Sequence, residues 1–429
     1  MTACAIEETA AGDDGAVRRV GAAEGRGTGA APGDGAGDGF TISADGCYAA
    51  RLAGTGDARF AERWTLDGPE PYAVPLPMDQ PEEPDAEVVP MADGRVLIRR
   101  RVAGLQACSL LYPTGPGTGE LPLGFVESTT MTLLPPSPNG TCVYALVPGE
   151  RSTALWLVAG GAFGPERVAE VPGHCSGGVW LDRTGRMLAL DRETDGITKA
   201  VAVDLERGGE VTPLLQITED SNDRLLLADA ESGLLLIRSD APGHDRLGWG
   251  VLGSLRPVRF PECLRIADAA VTPFAIQPGQ MLMPESCSVA LRIDAAAGSW
   301  VGVWRPSGRR LHQLAAPEGW FTGAGLWTRE GVLRLPYATG AVPCGVARVE
   351  LPEEAFLPDP VTVITESAQA ESAGGEPCDG GGDPSVCKPV PLQQAPIFRR
   401  VTPGQTLRPG ATQAHRPDAD GDVTGSLAT

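Results

Sequence analysis

The residues best suited to chemistry are scarce in this chain, and most gather in one stretch. There are four histidines, His174, His244, His312 and His415. His174 stands beside Cys175 and Ser176 in PGHCSGG, and His244 lies in SDAPGHDR with Asp240, Asp245 and Arg246. Between them runs DRETDG, which supplies Asp191, Arg192, Glu193 and Asp195. A Cys with a His can act as nucleophile and base, with an Asp orienting the base. Two His with carboxylates can hold a divalent metal. The plainer alternative is a set of solvated loops with the usual acidic bias. No spacing here is diagnostic, and the adjacent His174 and Cys175 side chains need not converge. No cofactor and no metal is expected. TEDSND (218–223) adds more acid to the same sector but lacks the turn Gly of an EF-hand loop. His312, in RRLHQLA, is expected on an outer strand, as a packing or surface residue.

The elements that position these residues are legible in residues 177–216. GGVWLD, RMLALD, KAVAVDL and VTPLLQ read as four short strands, separated by Thr184-Gly185, RETDGIT and ERGGE. This is an antiparallel meander, and it recurs. A Gly closing the turn between the first two strands falls at Gly46, Gly94, Gly140, Gly185, Gly233, Gly279 and Gly331, with spacings of 48, 46, 45, 48, 46 and 52. A third strand follows in each unit: AERWTL, SLLYP, ALWLVA, AVAVDL, WGVLG, VGVWRP and GVARVEL. Four strands repeating every 40–50 residues or so are the signature of a β-propeller. The expected fold is all-β, a seven-bladed propeller over 40–365, with disordered tails at 1–39 and 366–429. A β-sandwich would not keep one turn in register through seven units. The sixth unit, MLMPESCSVALRIDAAAGSWVGVW, has one strand too many, which predicts a shifted register or an insertion.

Within a propeller, the link between blades opens on the same face as the turn joining strands two and three. PGHCSGG is read as the link before blade four. DRETDG and SDAPGHDR are read as the second-to-third turns of blades four and five. Cys175, His174 and the charged residues beside His244 then share one rim sector, a loop-lined face where ligands of such folds bind.

Formal net charge is −20, which disfavours phosphate backbones and anionic lipid as partners. Lys199 and Lys388 are the only lysines among 35 basic residues, a pattern of coding bias rather than a functional patch. MTACAIEETAAGDDG has no basic start followed by an apolar run, and TALWLVAGGAF is too short to span a bilayer. A cytoplasmic, monomeric protein that binds neither nucleic acid nor membrane is expected. Its cysteines are then mostly free thiols, and the absence of a CxxC pair argues against structural zinc. In the C-terminal segment, Cys378 and Cys387 could close a small loop, and DADGD (418–422) lacks the Glu of a calcium loop. Unit seven offers three clear strands. Val361–Thr365 is expected to supply its outer strand, with an N-terminal segment as the other source of closure.

At the level of the repeat, the chain resembles TolB-type and prolyl-oligopeptidase-type propellers. Their usual unit is a W-S-P-D-G-K-x-I-A-F pair, a D-R-D-G-N loop and an L-Y-V-V-D-L-D-T-G strand. The matching stretches here are VWLDRTGRMLALDRETDGITKAVAVDLERGG and, more loosely, TISADGCYAARLAGTGDARFAERWTLDG. The resemblance covers about 310 residues and implies fold far more than activity. The oligopeptidases carry a hydrolase domain with a GxSxG elbow. This sequence has no GxSxG, so peptidase activity is not implied. The expected function is a non-catalytic scaffold or binding propeller that engages a protein or peptide partner through its loop face. The alternatives are a hydrolase or lyase with a site around His174 and His244, and a detached regulatory partner of a separate hydrolase.

Overall fold

Within each described sheet, every strand pairs with its neighbour in sequence. The computed structural model describes residues 39–279 and 283–350, and there the strands form seven antiparallel sheets. Blade one is β1 (Thr41–Ile42), β2 (Tyr48–Ala53), β3 (Phe60–Thr65) and β4 (Tyr72–Leu76); blade two is β5 (Glu87–Pro90), β6 (Val96–Val102), β7 (Leu105–Pro113) and β8 (Thr118–Val126). Blade three is β9 (Thr132–Leu133), β10 (Val143–Pro148), β11 (Ser152–Ala159) and β12 (Glu166–Pro172); blade four is β13 (His174–Trp180), β14 (Met187–Thr194), β15 (Ile197–Asp204) and β16 (Glu210–Leu215). Blade five has β17 (Asp223–Ala228), β18 (Leu234–Ser239) and β19 (Arg246–Val251); blade six has β20 (Ala269–Ile276), β21 (Val289–Ala295), β22 (Gly298–Trp304) and β23 (His312–Leu314). Blade seven has β24 (Leu326–Trp327), β25 (Val332–Tyr337) and β26 (Gly345–Glu350). This is the expected seven-bladed propeller. Helix among the described residues is confined to four three-residue 3₁₀ turns, and no described helix is long and apolar enough to cross a membrane.

The continuous apolar runs follow from burial on both faces of each blade. In β14, Leu188 and Leu190 face blade three, while Met187 and Ala189 face blade five. In β18, Leu235 and Ile237 turn to blade four, and Leu234 and Leu236 to blade six. Strand alternation thus feeds two interfaces from one run of LLLI. Seven apolar clusters result, one between each successive pair of blades. The last of them closes the ring. Phe40 stacks on Phe321 at 4.5 Å, Trp64 meets Phe321 edge-on at 5.3 Å, and the Arg51 guanidinium lies 4.7 Å from the Phe321 ring. Blade one therefore packs directly on blade seven.

The turn glycine is a shared device in six blades. Gly46, Gly94, Gly140, Gly185, Gly233 and Gly331 have φ between +66° and +85°, a region a side chain with Cβ enters only at a cost. Gly279 is the exception. Its φ is not positive, and a Cβ there would meet Ser232 Cβ at 2.7 Å, so close approach accounts for the glycine. β20 ends at Ile276 and β21 starts at Val289, with a 3₁₀ turn at Pro284–Ser286 between them; residues 280–282, within the stretch where an insertion is expected, lie outside the described residues. His312 opens β23, the outer strand of blade six, as expected. Blade five has three strands, and Arg259 fills the outer position by a two-way backbone bridge to Trp249. The tails, Val361–Thr365, Cys378, Cys387, His415, Lys388 and DADGD lie outside the described residues.

Candidate functional site

The structure moves most rim residues of blade four from loops into strands. PGHCSGG is not an inter-blade loop: His174 opens β13, the innermost strand of blade four. DRETDG likewise contracts, because β14 runs on through Thr194 and only Asp195 and Gly196 turn. Both have positive φ, +52° and +79°, the pattern of a two-residue type I′ hairpin that Asp-Gly favours. The pairing was hidden because polar residues occupy the ends of both strands. It sets His174 opposite Glu193, Cys175 opposite Arg192, and Ser176 opposite Asp191. SDAPGHDR does form the second-to-third loop of blade five, between Ser239 and Arg246.

This register separates the proposed nucleophile from its base. Successive side chains leave a strand on opposite faces, so His174 and Cys175 diverge. Cys175 packs against the apolar cluster shared with blade three, and burial pushes its thiol up to about 11. That suppresses the thiolate a nucleophile requires. His174 is exposed. His244 lies elsewhere, in a recess of about 240 Å³ between blades five and six. Among the described residues, no group of three His, Cys, Asp or Glu is placed to hold a metal.

What the register does bring together is Ser176 and Asp191, with Arg224 from β17. Asp191 Oδ1 accepts the Leu225 N–H at 2.9 Å, and Arg224 Nη1 stands 3.9 Å from its Oδ2. Arg224 also donates to Ser176 Oγ at 3.4 Å and Thr198 Oγ1 at 3.3 Å. Burial raises the Asp191 carboxyl to about 6, against the lowering pull of the Leu225 N–H and Arg224. Next to it, Asn222 Oδ1 accepts the Thr198 N–H at 3.0 Å, while Asn222 donates to Asp240 from its backbone at 2.7 Å and its side chain at 2.8 Å. Asp223, from TEDSND, is fully buried and receives Lys199, Ser221, Ser239 and the Ile217 N–H. Asp223, the last acid of TEDSND, is thus an interblade fastening.

Around His244 the recess is lined by Asp245, Arg246, Arg238 and Arg265. Arg238 pairs with Asp245 at 2.9 Å and donates to Val271 O at 2.8 Å; Arg246 pairs with Glu262 at 2.8 Å. Glu193 and Asp195 are exposed. The rim is therefore a locked polar platform carrying exposed His174, Glu193, Asp195, His244 and Asp245.

A second cluster lies at the other end of the channel, where the first-to-second turns gather around a recess of about 860 Å³. Glu231 there pairs with both Arg183 and Arg329, the latter at 3.2 Å. The signal for it lay in the repeat itself. Arg183, Glu231 and Arg329 each sit two residues before a turn glycine, the same position in blades four, five and seven.

No family model matches the chain, and no curated protein matches it. Among solved structures it is similar to a putative TolB from Agrobacterium tumefaciens, at 15% identity over 56% of this chain and 83% of that one, with a TM-score of 0.36. It is similar also to prolyl oligopeptidase B from Galerina marginata, at 14% identity over 74% of this chain and 49% of that one, with a TM-score of 0.47. For oligopeptidase B from Leishmania major the figures are 12%, 72%, 44% and 0.45. The chain spans about half the length of these peptidases. It is a seven-bladed β-propeller, a class that its own seven sheets define.

Proposed function

We propose that the chain is a monomeric, non-catalytic binding propeller of the cytoplasm that takes a protein or peptide partner on the rim of blades four to six. The observation that carries this reading is the recess of about 240 Å³ in which His244, Asp245 and Arg246 stand beside Arg238 and Arg265. It is sized for part of a peptide rather than a whole cofactor, and it adjoins a platform whose buried charges are already fixed to one another. Rigid support of exposed polar side chains lowers the ordering cost of binding. The seven free cysteines of the described residues fit a reducing compartment.

The rival reading, a hydrolase or lyase at this rim, has one observation in its favour. Asp191, raised to about 6, is suited in acidity to general-base work. Against it, the carboxylate is engaged by Leu225 N–H, and Cys175 faces away from His174 into apolar packing.

Capture from the native cell extract, followed by reconstitution with the purified chain, tests the two. Saturable binding that weakens about tenfold or more in a His174→Ala, Glu193→Ala, His244→Ala variant supports the binding propeller. Failure to reconstitute any partner, together with turnover by the purified chain that dies in His174→Ala, His244→Ala, overturns it.

A further inference from the structure

A recess of about 860 Å³ lies not on the rim but at the turn end of the channel, and its chemistry is distinct. Three features meet there. The first is a shared carboxylate: Glu231 binds both Arg183 and Arg329, with its side chain only 9% exposed, whereas the two arginines are 53% and 58% exposed. Two cations on one anion leave the group one positive charge in excess. The recess is also lined by Arg334 and by the carboxylates of Asp45, Asp67, Asp182 and Asp229, of which Asp182 and Asp229 accept N–H groups of their own turns. The second feature is an unmet bond. Glu231 Oε2 is buried with no hydrogen-bond partner, and so is the indole N–H of Trp327 in the same wall. Buried polar atoms are rarely left so. The third is an apolar wall, with Trp180, Phe274 and Leu326 lining a volume of about 860 Å³, within the range of small-molecule and peptide-end sites.

We propose that this recess binds a carboxylate carried on an aromatic or aliphatic body with an N–H close by, as in an N-acylated amino acid or the C-terminal residue of a peptide. The ligand carboxylate closes an alternating ring with Arg183, Glu231 and Arg329, so that each guanidinium lies between two anions. The Glu231 Oε2 accepts the ligand N–H, and the apolar body lies against Trp180 and Phe274. Arginine suits this role because its planar fork meets carboxylates two bonds at a time. The site lies on the face opposite the rim, so it stands or falls apart from the partner reading above.

Calorimetric titration of the full chain tests it with four probes: N-acetylphenylalanine, its C-terminal amide, 3-phenylpropionate, and an N-acetylated pentapeptide ending in phenylalanine. The free acids are expected to bind saturably, with the amide about tenfold or more weaker, since a charged hydrogen-bonded pair is lost. Arg183→Ala with Arg329→Ala is expected to weaken the acids by a similar factor. Glu231→Ala should erase the preference for N-acetylphenylalanine over 3-phenylpropionate, which lacks the N–H, without abolishing acid binding. Tighter binding of the pentapeptide than of N-acetylphenylalanine assigns the ligand to a polypeptide end, and the reverse assigns it to a free acid. Equal binding of acid and amide by the wild-type chain overturns the proposal whatever the variants do. So does absence of binding at millimolar probe.

Discussion

Lys199 Nζ lies 2.9 Å from Asp223 Oδ2, joining the third strand of blade four to the first of blade five. Asp223 is fully buried, and Lys199 also donates to Thr218 O and Ser221 O. In a chain that uses arginine almost everywhere, this lysine occupies a socket of carbonyls and one carboxylate that a compact ammonium fits. Removing it leaves a buried, uncompensated anion. Lys199→Met is expected to cost about 3–5 kcal/mol in urea unfolding. Adding Asp223→Asn should recover part of the loss, because the amide oxygen still accepts the Ile217 N–H while the charge is gone. A Lys199→Met protein as stable as wild type would show that the pair fastens nothing.

Asp191 gives the fold a pH dependence of definite sign. Its folded carboxyl titrates near 6 instead of 3.8, so the folded state holds that proton more tightly than the unfolded chain does. The favourable contribution is complete below pH 3.8 and is lost as pH rises through about 6. Across that window the loss is about 3 kcal/mol at most. Asp191→Asn keeps an acceptor for the Leu225 N–H and has no proton to lose. The stability difference between variant and wild type, measured by urea unfolding at pH 5 and pH 7.5, should move in favour of the variant at the higher pH. No change between the two values would remove Asp191 as a titrating group.

The turn glycines separate backbone strain from crowding. Gly185 and Gly140 have similar φ, +75° and +66°. A Cβ on Gly185 would meet Pro138 Cδ at an ordinary 3.5 Å, whereas one on Gly140 would meet Ala92 Cβ at 2.6 Å. Gly185→Ala is expected to cost about 1 kcal/mol from the left-handed backbone alone. Gly140→Ala should cost more, through its clash with the neighbouring blade. Melting curves that rank them the other way would contradict this packing.

Much of the fold was legible because a propeller repeats its turn. Six of the seven expected glycines have the required φ, and the seven third strands fall where aromatic and β-branched runs placed them. Gly279 misled because a glycine can also be demanded by a close neighbour, here Ser232. The rim was harder. β13 begins with His174 and β14 ends with Thr194, so polar residues stand in the strands themselves, and hydrophobic alternation carried no signal there. Asp191 and Asp223 fall in polar runs that predict loops, yet both are buried. Their partners Leu225 N–H and Lys199 come from other strands, and one sequence does not show which strands meet. For the Arg183–Glu231–Arg329 cluster the repeat register aligns all three residues two positions before a turn glycine, but the register alone does not show that the side chains of three blades converge.

Cysteine reactivity offers a check on the catalytic alternative. Burial holds the Cys175 thiol at about 11, as it does Cys108. At pH 7.5 the thiolate fraction is then well below one in a thousand, by simple titration. Native protein should leave Cys175 unmodified by iodoacetamide under conditions that alkylate it in urea, with the site located by peptide mass mapping. Rapid alkylation of Cys175 in the folded protein would restore it as a nucleophile.

The central claim, a partner seated on the rim, is tested most directly by hydrogen exchange of the chain with and without its reconstituted partner. The account predicts slowed exchange in 191–196 and 240–246, the hairpin that carries Asp195 and the loop that carries His244, with outer strands β4 and β8 unchanged. Slowed exchange confined to the outer strands, with both rim segments exchanging as they do in the free chain, would contradict it.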